Sequence, residues 1–269
     1  MEIAEHLTAL RDNGQSLADA AQRAGLGAPV PPCQPWLVKD LLRHTGYVHR
    51  WAAQHITERP ANILDGPPEP EILQGGAPDQ ELLAWFRDGH AALVEALESA
   101  DPDVQTAVFM ADTPSPLAFW ARRQAHETAI HRVDAESATG NAVTFPAAFA
   151  ADGVDELIMG FGRRRKYQPS AVHPGGDPAA GGEDAGTLHV ATTDTGHVWY
   201  AEARDGRVHP RRAAPGDDGA AAECTVAGPA SGLYQFLWNR ATTAEAGVTI
   251  TGDPAPLTRW QSAVRVRWD

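Results

Sequence analysis

Apolar residues along this 269-residue chain keep one period up to about residue 165 and a different one after about residue 187. No other feature of the sequence limits the fold as much. In the first stretch the spacing is helical. Met1 to Ala24 carries Ile3, Leu7, Leu10, Leu17 and Ala21 on one stripe, with Gly14 as its weak point. Glycines and prolines at 25–32 interrupt it, and Trp36 to Thr57 then repeats Leu37, Leu41, His44, Val48 and Trp51. Pro35 ahead of that run suits a helix start, where a missing N–H costs nothing. Five prolines make 60–78 an irregular crossover, and a third helix is expected over Asp79 to Ala100. Gln105 to Met110 reads as extended. Ser115-Pro116 gives an N-cap and a first-turn proline for a fourth helix ending near Ser137. A fifth helix is expected from Pro146 to Arg165. Four or five amphipathic helices with one long crossover describe a bundle.

Residues 166–186 are rich in proline and glycine and read as a linker. Beyond it the pattern is that of strands: Leu188–Thr193 and Val198–Ala203 as a pair around Gly196, then Cys224–Val226 and Val248–Thr251. Ser231 to Ala241 and Pro256 to Val264 read as helices among them. The expected fold class is therefore α+β in two domains. Residues 1–165 form a helical domain, 166–186 a linker, and 187–269 a small α+β domain.

Acidic side chains outnumber basic ones 35 to 22, for a formal net charge of −13. That balance opposes unspecific binding of nucleic acid or anionic lipid, both of which need a cationic surface. Two cysteines, Cys33 and Cys224, make neither a disulfide scaffold nor a CxxC pair, so reduced thiols in a cytoplasmic setting are expected. Glu2, Glu5 and His6 stand where a signal peptide would be basic and then apolar. No apolar run approaches the roughly 18 residues of a membrane span.

Candidate chemistry concentrates in Arg122-Arg123-Gln124-Ala125-His126-Glu127-Thr128-Ala129-Ile130-His131-Arg132-Val133-Asp134. His126-Glu127 begins like the HExxH of zinc proteases, but Ile130 takes the fifth position. Five helical positions rotate a side chain by about 140°, so His126 and His131 point apart. Four rotate it by about 40°, which puts Glu127 and His131 one turn apart on one face, with Asp134 beside His131. Glu127 and His131 make two ligands of a divalent metal site. His44, inside its apolar stripe, is the best third ligand, whereas His49 is turned about 140° from it. Two imidazoles and a carboxylate leave positions open for water or substrate; Zn²⁺ suits the set, and Fe²⁺ uses the same ligand types. By spacing alone the plainer reading also stands. In it His44 is a hydrogen-bonded core histidine and Glu127–His131 an intrahelical pair.

Three blocks of the sequence resemble a known family. Val30-Pro31-Pro32-Cys33-Gln34-Pro35-Trp36-Leu37-Val38-Lys39-Asp40-Leu41-Leu42-Arg43-His44 is similar to the V-P-x-C-P-x-W-x-V-x-D-L-x-x-H opening of the mycothiol-dependent maleylpyruvate isomerases. Phe119 to Asp134 is similar to their second signature. Ala227-Gly228-Pro229-Ala230-Ser231, Leu237-Trp238-Asn239-Arg240 and Val248-Thr249-Ile250-Thr251-Gly252-Asp253 resemble their small C-terminal domain. The departure is Gln34, where the family usually has proline.

The resemblance implies a DinB-like four-helix bundle with a metal held by His44, Glu127 and His131. It also implies active-site roles for Asp134 and Arg240. Asp134 would orient His131 or move a proton. Arg240 would bind the cosubstrate or clamp a substrate carboxylate. The implied cofactors are a divalent metal, zinc by preference, and mycothiol as thiol cosubstrate. The implied reaction is thiolate addition to a cis double bond, rotation, and elimination. Partners are then a small thiol and a small acidic or electrophilic substrate, with no nucleic acid or membrane. The same site would also serve a thiol S-transferase acting on electrophiles, and a non-catalytic metal-binding or regulatory protein is the third reading.

Overall fold

Asp40 opens the second long helix by accepting a hydrogen bond from the backbone N–H of Leu37 at 2.9 Å, an acidic N-terminal clasp that fixes where the chain turns inward. The computed structural model describes residues 1–110, 113–163, 186–204 and 207–263. Within it the chain divides into two compact units between Val143 and Thr144. This assigns the helix expected at 146–165 to the second unit.

The first unit is built on α1 (Ile3–Ala24), α2 (Val38–Glu58), α4 (Leu82–Ser99) and α5 (Pro116–Ser137), with a one-turn α3 (Glu69–Ile72) inside the proline-rich crossover. Helix α5 packs against α1 and α2, and α4 packs against the same two from the other side, closing a four-helix ring. Leu10, Leu17, Leu41, Leu42, Phe86, Leu93 and Trp120 are fully buried inside it. Each such side chain contributes about 1.5–3 kcal/mol of transfer free energy. Ser115 caps α5 as expected, its hydroxyl accepting from the Ala118 N–H at 3.2 Å. Gln105 to Met110 forms no strand. Its backbone serves the helices instead, the Ala107 carbonyl accepting from the Trp120 indole at 3.1 Å.

The second unit begins with α6 (Ala147–Asp155), which continues as a single π turn (Glu156–Gly160) and a 3₁₀ turn (Phe161–Arg163). The linker expected at 166–186 lies outside the described residues up to 185. A five-stranded sheet follows, made of β1 (Thr187–Thr192), β2 (Val198–Arg204), β3 (Arg207–Arg212), β4 (Cys224–Gly228) and β5 (Thr249–Gly252) in the order β3-β2-β1-β4-β5. Only β1 and β4 run parallel. Helices α7 (Ala230–Leu237), α8 (Thr243–Ala246) and α9 (Ala255–Ala263) complete the unit. Helix α7 packs on α6, with the Tyr234 ring 5.4 Å from Phe145 and 6.2 Å from Phe149. From the sheet, Trp199 and Arg212 both reach Asp155 of α6, at 2.8 and 2.6 Å. The helix expected to run to Ala241 stops at Leu237, and Asn239, at φ 59°, carries the chain through a left-handed turn. No helix among the described residues is long and apolar enough to cross a membrane.

Candidate metal centre

Helix α5 is an unusual core element, because its buried residues include Arg123, Gln124, His126, Glu127, Thr128, His131, Asp134 and Glu136. Taking such groups out of water costs several kcal/mol each unless partners repay it. For Arg123, Glu127, His131 and Asp134 the partners are present. Glu127 receives the Arg123 guanidinium on Oε2 at 2.9 Å, while its Oε1 faces His131 Nε2 at 3.1 Å. His131 Nδ1 meets Asp134 Oδ2 at 2.9 Å. From α2, His44 brings Nε2 to 3.6 Å from the same Glu127 Oε1.

The three side chains selected by helical spacing therefore converge. His44, Glu127 and His131 are all buried, and one ligand atom from each lies within 4.8 Å of the other two. Helix periodicity places Glu127 over His131, and the packing of α2 on α5 supplies His44. Two imidazole nitrogens and one carboxylate oxygen form the donor set of a catalytic zinc-type site, which binds through three protein ligands and leaves further positions for water or substrate. By donor chemistry and spacing, these residues fit a divalent cation.

The electrostatics follow from the same contacts. Burial lowers the pKa of His44, outweighing its contact with Glu127, so the ring is neutral at pH 7 and can offer a lone pair. Burial also works against the Glu127 carboxylate, yet the hydrogen bond from His131, the close contact with His44 and the Arg123 charge hold its pKa well below the usual carboxylate range. Burial disfavours protonation of His131 too. Its bonds to Asp134 and Glu127 win, and its pKa rises to about 9.

Other residues singled out in the sequence fall elsewhere. His49 is buried but bonds Thr128 at 2.9 Å through Nε2, on a different side of α2 from His44. His126 stacks edge-on to His6, with centroids 5.9 Å apart. Asp134 takes the place beside His131 that helical spacing gives it. Arg240 belongs to the second unit, past the end of α7, where its Nη1 donates to the Trp238 carbonyl at 2.9 Å. Cys33 is half-buried, at the end of a 3₁₀ turn.

Sequence reasoning missed three contributors. Trp36 is half-buried, its ring 4.9 Å from His44 and 6.5 Å from His131. Arg123 is a buried ion-pair partner of the Glu127 carboxylate. Its i, i+4 spacing to Glu127 was the available signal. Glu69, in the crossover, brings Oε1 to 3.9 Å from His44 Nδ1, and no local pattern announces it.

Comparison with known proteins gives a consistent result. Residues 7–136 match the family described as mycothiol maleylpyruvate isomerase N-terminal domain. Two solved structures resemble the chain in fold, each over 94% of this chain and 95% of the other, at 17% identity. One is the mycothiol-dependent maleylpyruvate isomerase, with a TM-score of 0.60. The other is a histidine-to-alanine mutant carrying the same name, with a TM-score of 0.61. No curated protein matches the sequence.

Proposed function

We propose, from the match of residues 7–136 to the family described as mycothiol maleylpyruvate isomerase N-terminal domain, that this chain is a metal- and thiol-dependent enzyme. Isomerisation of a small acidic compound across a cis double bond is the proposed reaction. The observation that carries the reading is the meeting of His44, Glu127 and His131 within 4.8 Å inside the bundle of that domain. A divalent cation bound there, zinc by preference, would hold a low-molecular-weight thiol such as mycothiol as its thiolate at neutral pH, the form that adds to an activated double bond.

The chain's own residues prepare that chemistry. Arg123 occupies Oε2 of Glu127 and leaves Oε1 as the ligand oxygen. Asp134 takes the Nδ1–H of His131 and thereby points Nε2 at Glu127. His44, kept neutral by burial, presents Nε2 to the same point. Trp36 covers the two imidazoles with an apolar face and limits the water that reaches them. The role of Arg240 as a carboxylate clamp rests on the motif resemblance, and Arg240→Ala tests it through the KM for an acidic substrate.

Two measurements decide the main reading. His44→Ala and His131→Ala proteins are expected to lose bound zinc in elemental analysis; stoichiometric metal in both removes the proposed ligands. The zinc-loaded parent protein, given mycothiol, is expected to consume maleylpyruvate absorbance. Conjugation of a model electrophile without isomerisation would instead make it an S-transferase, and neither activity would leave a metal-binding protein without this chemistry.

A further inference from the structure

The crossover at 60–78 is long for a connection in a helical bundle, and long connections in compact units commonly carry function. Here it delivers one carboxylate to the metal centre. Pro68 fixes the extended residue ahead of α3, and the Leu73 N–H closes the turn on the Glu69 carbonyl at 2.9 Å. Ile72, 4% exposed, anchors the turn, which packs on α2. Glu69, at the start of that turn, places Oε1 3.9 Å from His44 Nδ1. His44 thus stands between two carboxylates, with Glu127 on Nε2 and Glu69 on Nδ1. His131 stands in the same relation to Glu127 on Nε2 and Asp134 on Nδ1.

Metal-binding histidines almost always give their other ring N–H to a carboxylate, carbonyl or water, which fixes the tautomer and strengthens the ligand nitrogen. Asp134 does this for His131 on the same helix. We propose that Glu69 is the corresponding positioning residue for His44, supplied from the crossover and resting on the metal-centre reading above. A separation of 3.9 Å is an ion-pair distance, beyond a hydrogen bond. The Glu69 side chain is 30% exposed, so its torsions have room to close the remaining ångström. Accepting the Nδ1–H would lock the imidazole with Nε2 toward Glu127 Oε1. The crossover would then contribute to metal affinity without contributing a ligand.

The test is competition for Zn²⁺ against a chromophoric chelator, together with the visible spectrum of the Co²⁺-loaded protein. Glu69→Ala is expected to weaken zinc binding about tenfold to a hundredfold and to shift the Co²⁺ bands. The half-exposed position predicts an unchanged melting temperature for the metal-free protein. Glu69→Gln, whose amide oxygen still accepts a hydrogen bond, should recover part of the loss. Glu71→Ala removes an exposed carboxylate from the same turn and should leave affinity within twofold. Parental affinity and an unchanged Co²⁺ spectrum in Glu69→Ala overturn the proposal, as does an equal loss in Glu71→Ala, which would reveal a general charge effect. His44→Ala and His131→Ala, titrated in parallel, separate the two levels. If they keep stoichiometric zinc, the metal centre itself is wrong; if they lose it while Glu69→Ala does not weaken, only the role of Glu69 falls.

Discussion

A buried ionic cluster survives in a core only when every charge is matched, and the match around Glu127 is local. Arg123 offsets Glu127, and the proton on His131 offsets Asp134. That proton would make metal uptake at the proposed centre pH-dependent. With its pKa raised to about 9 by Asp134 and Glu127 against the opposing effect of burial, His131 is protonated at pH 7 and must lose the proton to offer Nε2. Zinc binding at pH 7 is therefore expected to release about one proton from this residue. Affinity should rise about tenfold per pH unit from 7 toward 9 and then level off. Calorimetry in buffers of different ionisation enthalpy measures the release directly. Asp134→Asn removes the partner that raises the pKa, so it should reduce the release at pH 7. An unreduced release would assign the proton to another group.

Elements were legible in the sequence where a period ran long enough, and obscure where a tertiary contact overrode it. The long helices α1, α2, α4 and α5 come close to their expected limits, because their apolar stripes and the Ser115-Pro116 start are local signals. Strand β3 was missed: Arg207 to Arg212 is rich in arginine and contains Pro210, which a central strand could not accept. It lies at the sheet edge, where a missing N–H is tolerated. The meeting of His44, Glu127 and His131 was legible because two sit four residues apart on one helix and the third lies in an apolar stripe. Glu69 and Trp36 reach the centre only through the path of irregular chain, which no periodicity encodes. Gly14, a weak point by propensity, has a packing cause. A Cβ there would overlap the His90 imidazole, whose Nε2 bonds the Leu10 carbonyl of α1 at 3.0 Å. In a free helix alanine would gain about 1 kcal/mol over glycine. Here Gly14→Ala is expected to cost about 1–3 kcal/mol by forcing α4 from α1, read as a lower urea midpoint with unchanged m-value. Stabilisation would show that His90 moves aside freely.

Across the whole molecule, buried and half-buried histidines of both units favour the unfolded chain at acid pH. Among the described residues His44, His49, His55, His90 and His189 all have pKa values lowered, in each case chiefly by burial. Unfolded, such groups take up protons near pH 6.5; folded, they do so only at lower pH. The unfolded chain therefore binds more protons in that window, and stability falls as pH drops below about 6.5. Glu127 and Glu136 act in the same direction lower down. Burial opposes the ionisation of both carboxylates, but the hydrogen bond from His131 and the His44 contact at the first, and hydrogen bonds from Asn141 and Arg23 to the second, prevail and lower their pKa values. Their contributions are lost as pH falls below the usual carboxylate value of about 4.5. His131 has the opposite sign: its contribution is complete below about 6.5 and fades as pH rises through about 9. Metal-free protein should thus melt highest between about pH 6.5 and 7 and lose stability on either side. Zinc bound at the proposed centre would remove the proton from His131 before unfolding begins, so saturating zinc should flatten the alkaline side while leaving the histidine-driven acid side in place. Melting curves in EDTA and in zinc, from pH 5 to 9.5, make the comparison. An alkaline decline of equal slope in both would show that His131 is not a zinc ligand.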